Sequence, residues 1–178
     1  RPPRSTLFPY TTLFRSKDVI LVGSKVAISK LQNTVPYSLW SNGMKDERHN
    51  HFCIAFCDID NFKRINDSYG HDCGDEVLRH ITKLIKKEMQ GCDICRWGGE
   101  EFLLLIHGDK HETYFVADRI RSKLEGTILK NKYDGSFKVT ATFGIAEYNG
   151  YMPLRAVIDK ADEQLYYGKN HGKNQVVS

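Results

Sequence analysis

The stretch HFCIAFCDID, His51 to Asp60, constrains the fold more than any other. It is a near-continuous apolar run that ends abruptly in acids. A strand with one wet face alternates apolar and polar residues, so an unbroken run reads as a central strand covered on both faces. A second run, RWGGEEFLLL from Arg96 to Leu105, sets two glycines beside two glutamates at the mouth of another apolar segment. DICRW and EFLLLIH read as short strands, with Gly98-Gly99 as the turn of a hairpin between them.

Helical spacing fills the intervals. Val77, Leu78, Ile81, Leu84 and Ile85 repeat with helical period, and that helix is expected to end near Gln90-Gly91. Before it, NFKRINDSYGHDCGDE reads as short helix and loop punctuated by Gly70 and Gly74. A helix is expected over roughly Glu112 to Leu129, with Val116, Ile120 and Leu124 on one face. FKVTATFGIAEY alternates as one strand, with Val139, Ala141, Phe143 and Ile145 on one side. Pro153 opens a last helix with the stripe Leu154, Val157, Ile158, Ala161 and Leu165, and Gly172 is its stop. NQVVS reads as a closing edge strand. VAISKL reads as part of a helix and Asn42-Gly43 as a turn. The order strand, helix, hairpin, helix, strand, helix predicts an α+β fold: helices packed on an antiparallel or mixed sheet.

The first sixteen residues, RPPRSTLFPYTTLFRS, translate a common short-read sequencing adapter codon for codon. Arg1–Ser16 is therefore an artefactual adapter-derived segment, excluded from fold reasoning. Without it the chain carries 23 basic and 22 acidic side chains in place of the overall +4. That near-neutral balance removes the support for a nucleic-acid partner. No apolar run approaches a membrane span, and no secretory signal is present. With 178 residues, 40% hydrophobic and 27% charged, the chain reads as one soluble domain over 17–178. Its N-terminal part is degenerate or truncated on this reading, and a sensory domain is expected upstream. The five cysteines suggest free thiols in the cytoplasm, though a full-length parent is open to membrane anchoring. Cys53 and Cys57 read as small buried hydrophobes, and Cys92-Asp-Ile-Cys95 lacks the further ligands of a zinc site.

Asp58 and Asp60 end the first buried strand, while Glu100 and Glu101 begin the strand after the glycines. If those strands are neighbours, the carboxylates converge and repel, and a hard divalent cation such as magnesium resolves the conflict. Glycine at the turn lets a bulky ligand lie against the backbone. Such a site suits phosphoryl or nucleotidyl transfer with two metals. The plainer alternative is a polar hairpin tip with solvated acids.

The longer pattern DIDNFKRINDSYGHDCGDEVL, followed about forty residues later by RWGGEEF, closely resembles the GGDEF family of diguanylate cyclases in its GGEEF form. VTATFGIAEY and ADEQLYYGKNHGKNQV resemble that family's later segments, so the likeness covers about Phe52 to Val177. The resemblance implies a polymerase-palm-like, nucleotidyl-cyclase-like fold that condenses two GTP molecules into cyclic di-GMP. It implies magnesium, two per GTP half-site with manganese as a substitute, on Asp58, Glu100 and the Ile59 carbonyl. Glu100 takes the proton acceptor's position, assisted by Glu101. Asn66 and Asp75 would read guanine, and a carboxylate at Asp75 suits its two N–H donors. Lys63 and His71 would lie near ribose and phosphates, Gly98 and Gly99 against the nucleotide, and Lys169 and Lys173 at the triphosphate. One domain supplies half a site, so a homodimer is implied. The rival readings are a helix N-cap for Asp75, cations at a helix C-terminus for the two lysines, and core for Phe62 and Phe102.

Three departures from the family pattern stand out. Lys173 replaces an arginine, which loses bidentate phosphate contact. The opening motif DxLTGLxNR is worn, with only Asp18-Val19-Ile20 and Gly23-Ser24-Lys25 as remnants. The product-binding RxxD before the hairpin is replaced by MQGCD, which has no arginine. A catalytically inactive GTP-binding or interaction module is the alternative these departures leave open.

Overall fold

The structure is a computed structural model that describes residues 52–89, 93–131, 135–148 and 152–178. The adapter segment, VAISKL, Asn42-Gly43, the worn Asp18–Lys25 stretch, Gln90-Gly91 and Cys92 lie outside these residues.

The strand β1, Phe52–Ile59, is the middle of a five-stranded sheet. It pairs antiparallel with β3, Glu101–His107, on one side and with β6, Ala141–Tyr148, on the other. The hairpin partner β2, Asp93–Arg96, and the two-residue β7, Val176–Val177, form the edges. Only β7 pairs in parallel among these described strands, so the sheet is mixed but mainly antiparallel. Helices α1, Phe62–Tyr69, α2, His71–Glu88, and α3, Lys110–Gly126, and α4, Leu154–Asn170, flank it. The expected α+β class and closing edge strand are what the fold shows.

The unbroken apolar run of β1 has its cause in two cores. Cys53, Ala55 and Cys57 join the cluster of Val77, Ile81, Ile85, Ile120 and Leu124 from α2 and α3. Phe52, Ile54 and Phe56 join Leu154, Val157, Ile158, Ala161 and Leu165 of α4 on the opposite face. Successive side chains of a strand point to opposite faces, so both sets must be apolar. Cys53 and Cys57 are buried as expected, and so are Phe62 and Phe102.

Four boundaries differ from the sequence expectation. First, α2 begins at His71, not Val77, and only Gly70, at φ +84°, breaks the helical run. Gly74 lies inside α2, where a Cβ would come 2.0 Å from Asn66 Oδ1; its absence is a packing requirement rather than a stop. Second, α3 starts at Lys110 because Asp109 and Glu112 form a capping box. Third, it ends at Gly126, where the β-branched Thr127 and Ile128 turn into β4, Ile128–Lys130. Fourth, FKVTATFGIAEY is not one strand: β5, Ser136–Lys138, pairs with β4, and the chain breaks at Val139-Thr140 before β6. The four residues predicted to share a side, Val139 to Ile145, do share the first core.

Candidate active site

The stripe Phe52, Ile54, Phe56 continues along one face of β1 into Asp58 and then Asp60 just past its end. Apolar residues thus give way to acids where α4 reaches its C-terminal turn. The register sets Asp58 opposite both Glu101 of β3 and Thr142 of β6. The Ile59 N–H donates to the Glu100 carbonyl at 3.3 Å. The strands are therefore neighbours, and the GGEE turn is delivered to the end of β1.

That turn spans more than the two glycines. Trp97 N–H donates to the Glu101 carbonyl at 2.8 Å, closing a loop from Trp97 to Glu100. Neither Gly98 nor Gly99 has a positive φ, so glycine serves space rather than left-handed backbone. A Cβ on Gly98 would lie 2.9 Å from Glu101 Oε2, while one on Gly99 would meet open space. The Arg96 guanidinium pins the loop, its Nε donating to the carbonyls of Gly98 at 3.2 Å and Gly99 at 2.9 Å. Burial lowers the Arg96 pKa, opposed by the charges of Asp75 and Glu100. Arg96 thereby links the two ends of the site.

The acids divide by environment. Asp60, with a side chain only 1% exposed, is fully engaged. Thr142 and Lys169 donate to its Oδ1, and Thr140 and the Asn174 N–H to its Oδ2. Burial pushes the Asp60 carboxyl up, but Lys169, Thr140 and Thr142 outweigh it and leave it below the ordinary value. The stability it contributes is present above pH 3.8, its ordinary value, and lost as pH falls through the folded one. Lys169 Nζ also meets the Asp58 carboxylate at 2.8 Å and the Asp58 carbonyl at 3.1 Å. Glu100 is pushed the other way: burial and then the Asp58 charge raise its pKa, opposed by its own backbone, Lys169 and Arg96.

Glu100 gives a testable sign. Below pH 4.5 the group is neutral in both states; as pH rises through its raised folded value, the unfolded chain sheds the proton more readily and stability falls. The metal-free Glu100→Gln variant should therefore melt a few degrees above the parent at pH 7 to 8, and the gap should close toward pH 4. A scan of Tm against pH checks this; a variant less stable than the parent at pH 8 counts against it.

Lys169 is thus bonded to Asp58, and the charges of Asp58, Lys169 and Arg96 act on Glu100. Asn66, on α1, lies against Gly74 of α2, and its Oδ1 is a buried acceptor with no partner among the described residues. The N-cap reading of Asp75 fails, since Gly70 caps α2 and Asp75 lies within the helix. The helix-end reading of Lys169 gives way to its ion pairs with Asp58 and Asp60. Lys173 reaches Asn61 Oδ1 at 2.6 Å from a left-handed backbone, φ +60°. Lys63 and His71 are exposed and have no described contact with the acids. The sequence reading missed Thr140, Thr142 and Asn174. A signal was present: Thr142 sits on the face of β6 that continues into Gly144 and Ala146 under α4, and Thr140 precedes the strand at the same period of two.

Cation binding fits this donor set. Burial and then the Asp58 charge raise the Glu100 carboxyl, and an ammonium is already drawn onto Asp58. Among the described residues no three His, Cys, Asp or Glu side chains cluster as a ready cage. Two carboxylates plus substrate oxygens match magnesium better than calcium or zinc. No described helix is long and apolar enough to cross a membrane.

Residues 37–175 match the profile of the family described as diguanylate cyclase, GGDEF domain. The chain is 37% identical to diguanylate cyclase A of Treponema denticola over 144 residues, covering 79% of this chain and 38% of that one. It is 36% identical to diguanylate cyclase DosC of Escherichia coli over 125 residues, 69% of this chain and 27% of that one. The chain therefore spans well under half the length of these relatives. Its fold matches the GGDEF domain of DgcB from Caulobacter crescentus, solved with c-di-GMP, at TM-score 0.78 and 25% identity over 93% of this chain and 97% of that one. The active GGEEF domain of a diguanylate cyclase from Vibrio cholerae matches at 0.72 and 25% identity, over 84% and 94%.

Proposed function

We propose, from the premise that this chain belongs to the GGDEF domain family of diguanylate cyclases, that it condenses two GTP molecules into cyclic di-GMP with release of pyrophosphate. The observation that carries the reading is the meeting of Asp58 and Glu100 at the end of β1, with Glu100 raised and Lys169 alongside. The unit is taken as 17–178, with Arg1–Ser16 adapter-derived.

On this reading Asn66 and Asp75 hold the guanine. The partnerless Asn66 Oδ1 supplies an acceptor that a guanine N–H would satisfy, and a buried acceptor left unmade costs about 1–3 kcal/mol. Gly98 and Gly99 lie along the nucleotide, and Arg96 holds their carbonyls. Lys173, with Lys63 and His71 at the rim, would meet the phosphates, and Lys169 would join them by exchanging one of its bonds to Asp58. Asp58, Glu100 and the Ile59 carbonyl would hold magnesium, which when bound would supply neutralisation of the charge that builds on the α-phosphate. The 3′-oxygen of one GTP bonds to the α-phosphorus of the other, the bond to the β-phosphate breaks, and pyrophosphate leaves. Glu100 takes the hydroxyl proton, with Glu101 beside it on β3. Two copies in two-fold symmetry perform this twice to close the ring. Lys173 for arginine predicts weaker binding rather than inactivity. A GTP-binding module without cyclase activity is the second reading, favoured by the worn Asp18–Lys25 stretch.

The test is GTP turnover with magnesium at high protein concentration, with a dimerising coiled coil in place of Arg1–Ser16 and chromatography of the product. Cyclic di-GMP is expected. Saturable GTP binding without product would favour the module. Because MQGCD lacks the arginine of the product site, added cyclic di-GMP should leave the rate unchanged; tight noncompetitive inhibition would contradict this.

A further inference from the structure

We propose that Asp60 is a positioning residue for the reaction: it shares the Lys169 ammonium with Asp58 and so keeps Asp58 open to magnesium. The inference rests on Asp58 as a magnesium ligand and assigns a residue that reading leaves without a role.

Hydrogen-bond capacity carries the argument. A carboxylate offers about four acceptor sites and an ammonium three donors. Asp60 takes four donors, from Thr142 and Lys169 at 2.7 Å on Oδ1, and from Thr140 at 2.7 Å and the Asn174 N–H at 3.0 Å on Oδ2. Nothing remains with which to hold a metal or a nucleotide. Lys169 places its three donors on the Asp58 carboxylate, the Asp58 carbonyl and Asp60. The ammonium is thus divided between an acid that is buried and immovable and an acid that a cation must win. Were Asp60 neutral, the whole positive charge would rest on Asp58 and compete with magnesium. The same carboxylate fixes the turn after α4 through Asn174, and that turn carries Lys173 to Asn61.

Asp60→Asn keeps the shape and removes the charge. Its magnesium half-saturation, read by titrating magnesium chloride against a fluorescent non-hydrolysable GTP analogue, is expected to rise about tenfold, the scale on which a group orienting a metal ligand acts. Thr142→Val strips Oδ1 of its other donor and draws Lys169 toward Asp60, so the half-saturation should fall. An unchanged requirement in folded Asp60→Asn overturns the proposal. Where that variant does not fold, an unchanged or raised requirement in Thr142→Val overturns it. Acylation of Lys169 by acetic anhydride, followed by mass spectrometry without metal or nucleotide, should rise several-fold in Asp60→Asn, and an unchanged rate also overturns it. This last readout separates the two ideas: a parent that binds no magnesium and GTP sinks the cyclase reading, and the hold of Asp60 on Lys169 is then decided by acylation alone.

Discussion

Glu100→Ala is expected to lower cyclic di-GMP formation by about three orders of magnitude while leaving the fold and GTP binding largely in place, since on the proposed function one residue would supply both a metal ligand and the proton acceptor. The fold should survive because Glu100 lies in the loop after Trp97 and outside both cores. Its removal even relieves repulsion from Asp58, which raises its pKa in the parent. Guanine recognition is assigned to Asn66 and Asp75, on other elements, so the effect should fall on kcat more than on KM. Initial rates across GTP concentration, with the fused dimer held constant, measure the split. A variant within about tenfold of the parent rate would remove Glu100 from the chemistry and leave Glu101 as the acid to test.

Gly144→Ala should be the most damaging single methyl in the fold. Gly144 lies on β6 opposite Phe56, directly under α4. A Cβ there would come 2.2 Å from both the Ala161 carbonyl oxygen and the Leu165 nitrogen, and 2.8 Å from Leu165 Cα. These are backbone atoms, so no side chain can swing aside. The helix must lift from the sheet, and Lys169, one turn beyond Leu165, moves with it. We expect a loss of at least about 3 kcal/mol, at the upper end for overpacking. That corresponds to a fall in Tm of roughly 6–12 °C for a domain of this size. Thermal and urea unfolding check it, and a loss below about 1 kcal/mol would mean that α4 has slack the packing does not suggest.

The sheet was legible because two-sided burial leaves its mark on composition. Phe52 to Cys57 are apolar at every position since each faces a core, and EFLLLIH marked β3 to the residue for the same reason. Boundaries were less legible where one residue serves a distant partner. Gly74 looked like punctuation, yet its lack of a side chain makes room for Asn66 from another helix. Thr140 looked like part of a strand, yet the chain bends there and gives both its hydroxyl and its carbonyl to Asp60. The acids of the candidate site could be picked out because charge at the end of an apolar run is costly without a purpose. Which acid was structural could not be picked out: Asp58 and Asp60 are alternate residues on one face, and only the donors from β6, α4 and the following turn tell them apart.

Asp60 and Lys169 are separated by 109 positions, and the Asn174 amide lies 114 from the same carboxylate. A ribosome therefore delivers the middle strand long before its counter-charge. Until Lys169 and Asn174 emerge, the carboxylate is better served by water than by the finished interior. The nascent chain has every reason to collapse around the apolar part of β1 while leaving its acidic end undocked. The first of the described strands to be made is thus among the last to be sealed, and the proposed nucleotide chemistry would begin only when synthesis of the domain is nearly done.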